Sequence, residues 1–150
     1  YSFGRPILLG LALAGRRVTN ERVLSAVEPL GLAFQLRDDL IGTFGNARET
    51  GKPADSDIRE GKMTLLAWET IRRLKTSNER LIWKRGFGKR KARAKDVLAV
   101  RRLMIASGAR ESVEEETRLL TETALRNIAR LPFPAGWLIE LTKSLDERRK

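Results

Sequence analysis

Apolar residues recur at helical spacing along nearly the whole chain. Val23, Val27, Leu30, Phe34 and Ile41 follow one another at steps of four, three, four and seven, which places them on one face of an α-helix. Thr19 or Asn20 offers that helix a cap, and Pro29 is expected to interrupt and kink it. Residues 6–14 ahead of it are apolar and small, and Gly15 suits their C-terminal stop. The chain is expected to be helical from Tyr1 onward.

Between residues 44 and 62 the periodicity fails. Gly45, Gly51, Pro53 and Gly61 punctuate that stretch, which is expected to be a loop. Helical spacing returns over residues 64–75 and 78–84, then a basic loop covers 86–95, and a further helix spans 97–107 with Gly108 as its stop. Ser112-Val113-Glu114-Glu115 fits a capping box and is expected to open a helix reaching Arg130. Residues 131–134 break it, and a last helix runs from Ala135. No segment carries strand alternation and no repeat is evident. The fold class expected is all-α, an antiparallel helix bundle, with residues 1–150 forming part of one domain.

Composition narrows the chemistry. The chain has 150 residues, 41% of them hydrophobic, enough to bury a core. It has no cysteine and no histidine, which excludes disulfides, thiolate or imidazole metal sites, and any imidazole general base. The cysteine count fits a cytoplasmic protein. Thirty Lys and Arg against 19 acids give a net charge of +11, which favours an anionic partner: nucleic acid, a membrane surface or a phosphorylated substrate. The apolar run at residues 6–15 is too short to cross a bilayer.

Asp38 and Asp39 are adjacent carboxylates within a helix, and Gln35 lies one turn before them. The three residues point away from the apolar stripe or across its edge. Neighbouring carboxylates repel unless a cation sits beside them, and Mg²⁺ takes one or two carboxylates together with phosphate oxygens and water. On their own they also fit a solvated helical turn paired with Arg37. Lys52 after Gly51, and Lys62 after Gly61, add cations on a glycine-bearing segment that a backbone can bring close to an anion. Residues 84–95 are dense in Lys and Arg. They read first as a solvated loop, with RNA, membrane lipid or a protein partner as the functional alternatives. Trp68, Trp83 and Trp137 are expected to pack, and Arg148-Arg149-Lys150 to be a solvated tail.

The stretches Gly31-Leu-Ala-Phe-Gln-Leu-Arg-Asp-Asp39 and Thr50-Gly-Lys-Pro-Ala-Asp-Ser-Asp-Ile-Arg-Glu-Gly-Lys-Met-Thr64 resemble the second aspartate-rich region of trans-isoprenyl diphosphate synthases, the polyprenyl synthetase family of farnesyl and geranylgeranyl diphosphate synthases. Tyr1-Ser-Phe-Gly-Arg-Pro6 is similar to the segment after that family's Lys-Thr pair. The resemblance implies an isoprenoid-synthase helix bundle, incomplete at its N-terminus. It implies chain elongation of an allylic diphosphate with isopentenyl diphosphate in a cytoplasmic homodimer with Mg²⁺ as cofactor and no nucleic-acid partner. Asp38 and Asp39 would hold the metal, Lys52 the allylic diphosphate, and Lys62 the charge balance of the motif. Gln35 would lie near the developing cation and Phe34 would line the site of reaction. The family's DDxxD has Gly42 at its last position here, and the first aspartate-rich motif and the Lys-Thr pair would lie before Tyr1. The isolated chain is therefore expected to be inactive. Alternatives are a non-catalytic subunit of a prenyltransferase heteromer, a terpene cyclase, which the Gly-Lys segment argues against, and a basic helical nucleic-acid-binding module.

Overall fold

The apolar spacing translates into helices throughout the described residues, 3–45 and 55–147, of a computed structural model of the chain; no strand occurs among them. In order they are α1 Gly4–Leu13, α2 Asn20–Phe44, α3 Ser56–Glu60, α4 Leu65–Arg73, α5 Ser77–Gly86, α6 Ala94–Ala106, α7 Ala109–Ile128 and α8 Gly136–Glu147. No helix among the described residues is long and apolar enough to cross a membrane. Lys52 and the tail 148–150 lie outside the described residues.

The chain divides into two compact units, one of residues 1–35 with 116–150, the other of residues 36–115. In the first, Ile7 of α1, Val23, Val27 and Leu30 of α2, Ala124 and Ile128 of α7, and Leu138 and Leu145 of α8 form the core. Each fully buried aliphatic side chain of this kind stabilises the unit by about 1.5–3 kcal/mol relative to exposure. α2 runs through Pro29 without interruption, contrary to the sequence expectation. Its buried stripe is narrower than the spacing suggests, because Phe34 stays 40% exposed. α1 starts at Gly4, two residues ahead of the apolar stretch read as helical, and the expectation at Tyr1 lies outside the described residues.

In the second unit, Ile58, Leu66, Val97, Val100, Met104, Ala109 and Val113 gather, with Leu36, Leu40 and Phe44 of α2 packed against them. α5 lies along α6, and α3 and α4 also pack on α6. Two local expectations fail here. The stretch read as a loop contains α3, because Ile58 is pulled into the core at 1% exposure. Ser112 does not cap a helix: α7 already begins at Ala109, fully buried, directly after Gly108 in a left-handed conformation at φ 73°. The capping box sits instead at Thr76, whose hydroxyl accepts from Glu79 N at 3.1 Å while the Glu79 carboxylate accepts from Thr76 N at 2.8 Å. Trp83 packs as expected, stacked on Phe87 at 4.1 Å. Trp68 and Trp137 do not, at 49% and 57% exposure, and Arg72 lies over the Trp68 ring.

Candidate active site

The C-terminal turns of α2 carry the carboxylate pair, and the second unit holds that end of the helix firmly. The last carbonyls of a helix lack intrahelical donors and carry partial negative charge. Arg101 Nη2 donates to Phe44 O at 3.3 Å, and the guanidinium of Arg110 lies over the Phe44 ring, 4.7 Å from its centroid. Arg101 also pairs with Asp55 at 3.4 Å, which ties the start of α3 to α6.

One turn before Phe44, the two adjacent aspartates are sorted. Asp38 is exposed, whereas Asp39 is 6% exposed. A buried carboxylate requires a counter-charge and donors. Lys62 supplies them: its Nζ donates to Asp39 Oδ1 at 2.7 Å and lies 3.7 Å from Asp57 Oδ2. The hydrogen bond to Asp39 holds the Lys62 ammonium above the ordinary lysine value. Burial opposes this and the charges of Asp39, Asp57 and Asp38 add to it.

Lys62 reaches this position because residues 55–62 are fastened to the rest of the unit. Ile58 is buried in the core, Gly88 N donates to Ile58 O at 2.8 Å, and Arg59 Nη1 donates to Ala92 O at 2.8 Å. Gly61 ends α3 at φ 70°, and a Cβ there would stand 2.8 Å from Gly88 Cα, so only glycine permits the close approach of the two backbones. Lys62 N then donates to Asp57 O at 3.0 Å.

Asp57 is the residue that sequence reasoning did not assign to the site. Its carboxylate rests against Gly42 of α2: a Cβ built on Gly42 would be 3.0 Å from Asp57 Oδ2 and 3.3 Å from Asp57 Cγ. Gly42 thus makes room for a carboxylate arriving from α3. The available hint was a helical glycine one turn after an aspartate pair, followed by an acid on a glycine-bounded segment; nothing in linear spacing brings positions 42 and 57 together.

The structure thus brings Asp38, Asp39 and Lys62 to one place and adds Asp57. Phe34 and Gln35 stand on the preceding turn of α2, and both are exposed. Phe34 meets Phe3 edge-on, with centroids 5.7 Å apart. Among the described residues no group of three or more Asp, Glu, His or Cys converges as a metal cage. An exposed carboxylate beside a lysine-neutralised one suits a hard cation that takes most of its oxygens from water and phosphate.

The polyprenyl synthetase family model matches residues 1–104. The geranylfarnesyl diphosphate synthase of Aeropyrum pernix is 31% identical over 125 residues, covering 83% of this chain and 38% of that protein. The (2E,6E)-farnesyl diphosphate synthase of Mycobacterium bovis is 33% identical over 129 residues, 84% of this chain and 36% of its own length. Among solved structures, the geranylgeranyl pyrophosphate synthase of Corynebacterium glutamicum, complexed with isoprenyl diphosphate and magnesium, superposes with a TM-score of 0.87 at 36% identity, over 97% of this chain and 42% of that one. A decaprenyl diphosphate synthase from Rhodobacter capsulatus superposes with a TM-score of 0.80 at 28% identity, over 99% of this chain and 46% of that one. The chain spans less than half the length of these proteins, and it has the helical fold of isoprenyl synthases. The aspartate pair on α2, the lysine that neutralises one of its members, and a family match running through both place the chain in the polyprenyl synthetase family.

Proposed function

We propose that the protein elongates an allylic prenyl diphosphate with isopentenyl diphosphate, and that residues 1–150 provide the second half of its catalytic domain. The observation that carries this reading is the sorting of Asp38 and Asp39: one carboxylate faces outward, the other is fixed by Lys62 at 2.7 Å. In the reaction the C–O bond of the allylic diphosphate breaks and diphosphate leaves with the electron pair. The isopentenyl double bond attacks the allylic carbon, and a proton is lost to form the new double bond.

The residues take distinct parts. Asp38 presents oxygens to a magnesium–diphosphate complex, and Asp39 with Lys62 keeps the end of α2 rigid and locally balanced in charge. Mg²⁺, when bound, neutralises the charge that builds on the leaving diphosphate. Lys52 contacts the allylic diphosphate, and the half-exposed Lys62 ammonium keeps donor capacity toward the same anion. Gln35 faces the developing carbocation and Phe34 lines the reacting end of the chain. The relatives are named for products of several lengths, so the proposal specifies the reaction and no product length. A cytoplasmic homodimer with both diphosphates as its partners completes the proposal.

The test is incorporation of labelled isopentenyl diphosphate into a solvent-extractable product, with an allylic diphosphate and Mg²⁺. The chain is assayed alone and together with the N-terminal half of a polyprenyl synthetase supplied as a second polypeptide. Product only with both polypeptides is expected. Product from the 150 residues alone would contradict the half-domain assignment, and no product in either case would contradict the activity.

A further inference from the structure

The second unit carries a basic surface that the proposed reaction does not use. It runs from the end of α5, through the turn after it, and along one face of α6. Lys84, Arg85, Lys89, Arg90, Lys91 and Lys95 are all exposed, as is Arg102 two turns further along α6. Arg93 is paired with Asp96 and Arg101 with Asp55, while none of these seven cations has a carboxylate within ion-pair distance among the described residues; Asp96 adds a longer-range attraction to Lys95 and Arg85. Seven exposed cations along some 19 positions, with Asp96 the one acid in that stretch of sequence, create a positive potential, which draws an anionic partner.

The kind of partner follows from what lies between the charges. On α6, Lys95, Leu98, Arg102 and Ile105 follow at helical steps of three, four and three, so they share one face. Leu98 is 44% exposed and Ile105 46%, and on α5 Leu81 is 44% exposed one turn before Lys84 and Arg85. Aliphatic side chains interleaved with cations match the interface of an anionic bilayer, where the leucines enter the headgroup boundary and the cations meet lipid phosphates. A single-stranded nucleic acid calls for exposed aromatic platforms instead. The two rings of this segment are turned on each other, Trp83 stacked on Phe87, and both help to pack the core. We infer that the α5–α6 surface docks the protein on an anionic lipid bilayer, leaving the site at the end of α2 to its own chemistry.

Flotation of the full chain with vesicles tests this. Vesicles of phosphatidylcholine alone are compared with vesicles containing phosphatidylglycerol, at low and high salt. Binding to the anionic vesicles at low salt, and its loss at high salt, is expected. The variant Lys89→Glu/Arg90→Glu/Lys91→Glu is expected to lower that binding at least about a hundredfold, since each cation near such a surface contributes roughly fivefold. Leu98→Ser, which changes no charge, is expected to lower it severalfold. Circular dichroism and melting of each variant, matching the parent, exclude unfolding as the cause. Failure to bind anionic vesicles, or equal binding by the triple variant, would overturn the inference. So would binding to a single-stranded RNA oligonucleotide at lower concentration than to vesicles with no response to Leu98→Ser, since charge without the aliphatic contacts would then explain it.

Discussion

Lys62 Nζ meets Asp39 Oδ1 at 2.7 Å, across 23 positions of sequence, and so joins the end of α2 to the segment that follows α3. Asp39 is buried and the lysine half-exposed, so the contact acts at the margin of the unit. It neutralises the one of two adjacent aspartates that the helix turns inward.

Removing both partners together should cost less than the two separate removals added. Lys62→Met leaves a buried carboxylate unneutralised and is expected to destabilise the chain by about 1–3 kcal/mol, below the figure for a fully buried pair because water reaches Lys62. The double variant Asp39→Asn/Lys62→Met should lose less than the sum of the single losses. Urea unfolding of the four proteins measures the coupling, and strict additivity would show that the contact contributes nothing.

Gly42 and Asp57 should be coupled in the opposite sense. A side chain at position 42 meets the Asp57 carboxylate at 3.0 Å, so Gly42→Asp adds both overlap and like charge. A loss of about 1–3 kcal/mol is expected, although replacing a helical glycine normally stabilises. In an Asp57→Gly background the same substitution should be tolerated. Thermal melts compare the two backgrounds, and equal costs would mean that Asp57 does not occupy the space beside Gly42.

Two charged contacts set opposite pH limits. The Lys62 ammonium is held above the ordinary value of 10.5, chiefly by its hydrogen bond to Asp39. Its contribution is therefore complete below 10.5 and is lost as pH rises through the elevated value. Glu79 is held below its ordinary value of 4.5 by the Thr76 and Lys75 backbone N–H groups. Its contribution is complete above 4.5 and is lost as pH falls through the depressed value. The stability difference between parent and Lys62→Met should thus stay flat from neutral pH to the alkaline limit. Denaturant midpoints across pH check this; a difference that faded near neutral pH would contradict it.

Much of the fold was legible in the spacing of Val23, Val27 and Leu30, because a helix with one buried face must repeat in this way. Local end signals were less dependable. Ser112 and Glu115 have the right types and separation for a capping box, yet burial of Ala109 after the left-handed Gly108 starts α7 four residues earlier. Thr76 and Glu79 have the same pattern and do form the box, which could have been read from the chain. Pro29 lies within α2 despite its missing donor, on a helix anchored by Val27 and Leu30 on either side. At the candidate site Asp38, Asp39 and Lys62 stood out by residue type and neighbouring glycines. Asp57 did not, because its place depends on the tertiary contact with Gly42, and the neutralisation of buried Asp39 depends on Lys62 arriving from another segment.

The most direct test is the affinity for inorganic diphosphate measured by calorimetric titration with and without Mg²⁺, on the protein and on Asp38→Asn, with the N-terminal half of a polyprenyl synthetase present. The outward carboxylate of Asp38 predicts Mg²⁺-dependent binding that Asp38→Asn weakens about tenfold or more, with turnover falling about a hundredfold or more, while melting is unchanged. Diphosphate binding that needs no Mg²⁺, or that Asp38→Asn leaves intact, would contradict the assignment of the end of α2 as the diphosphate site.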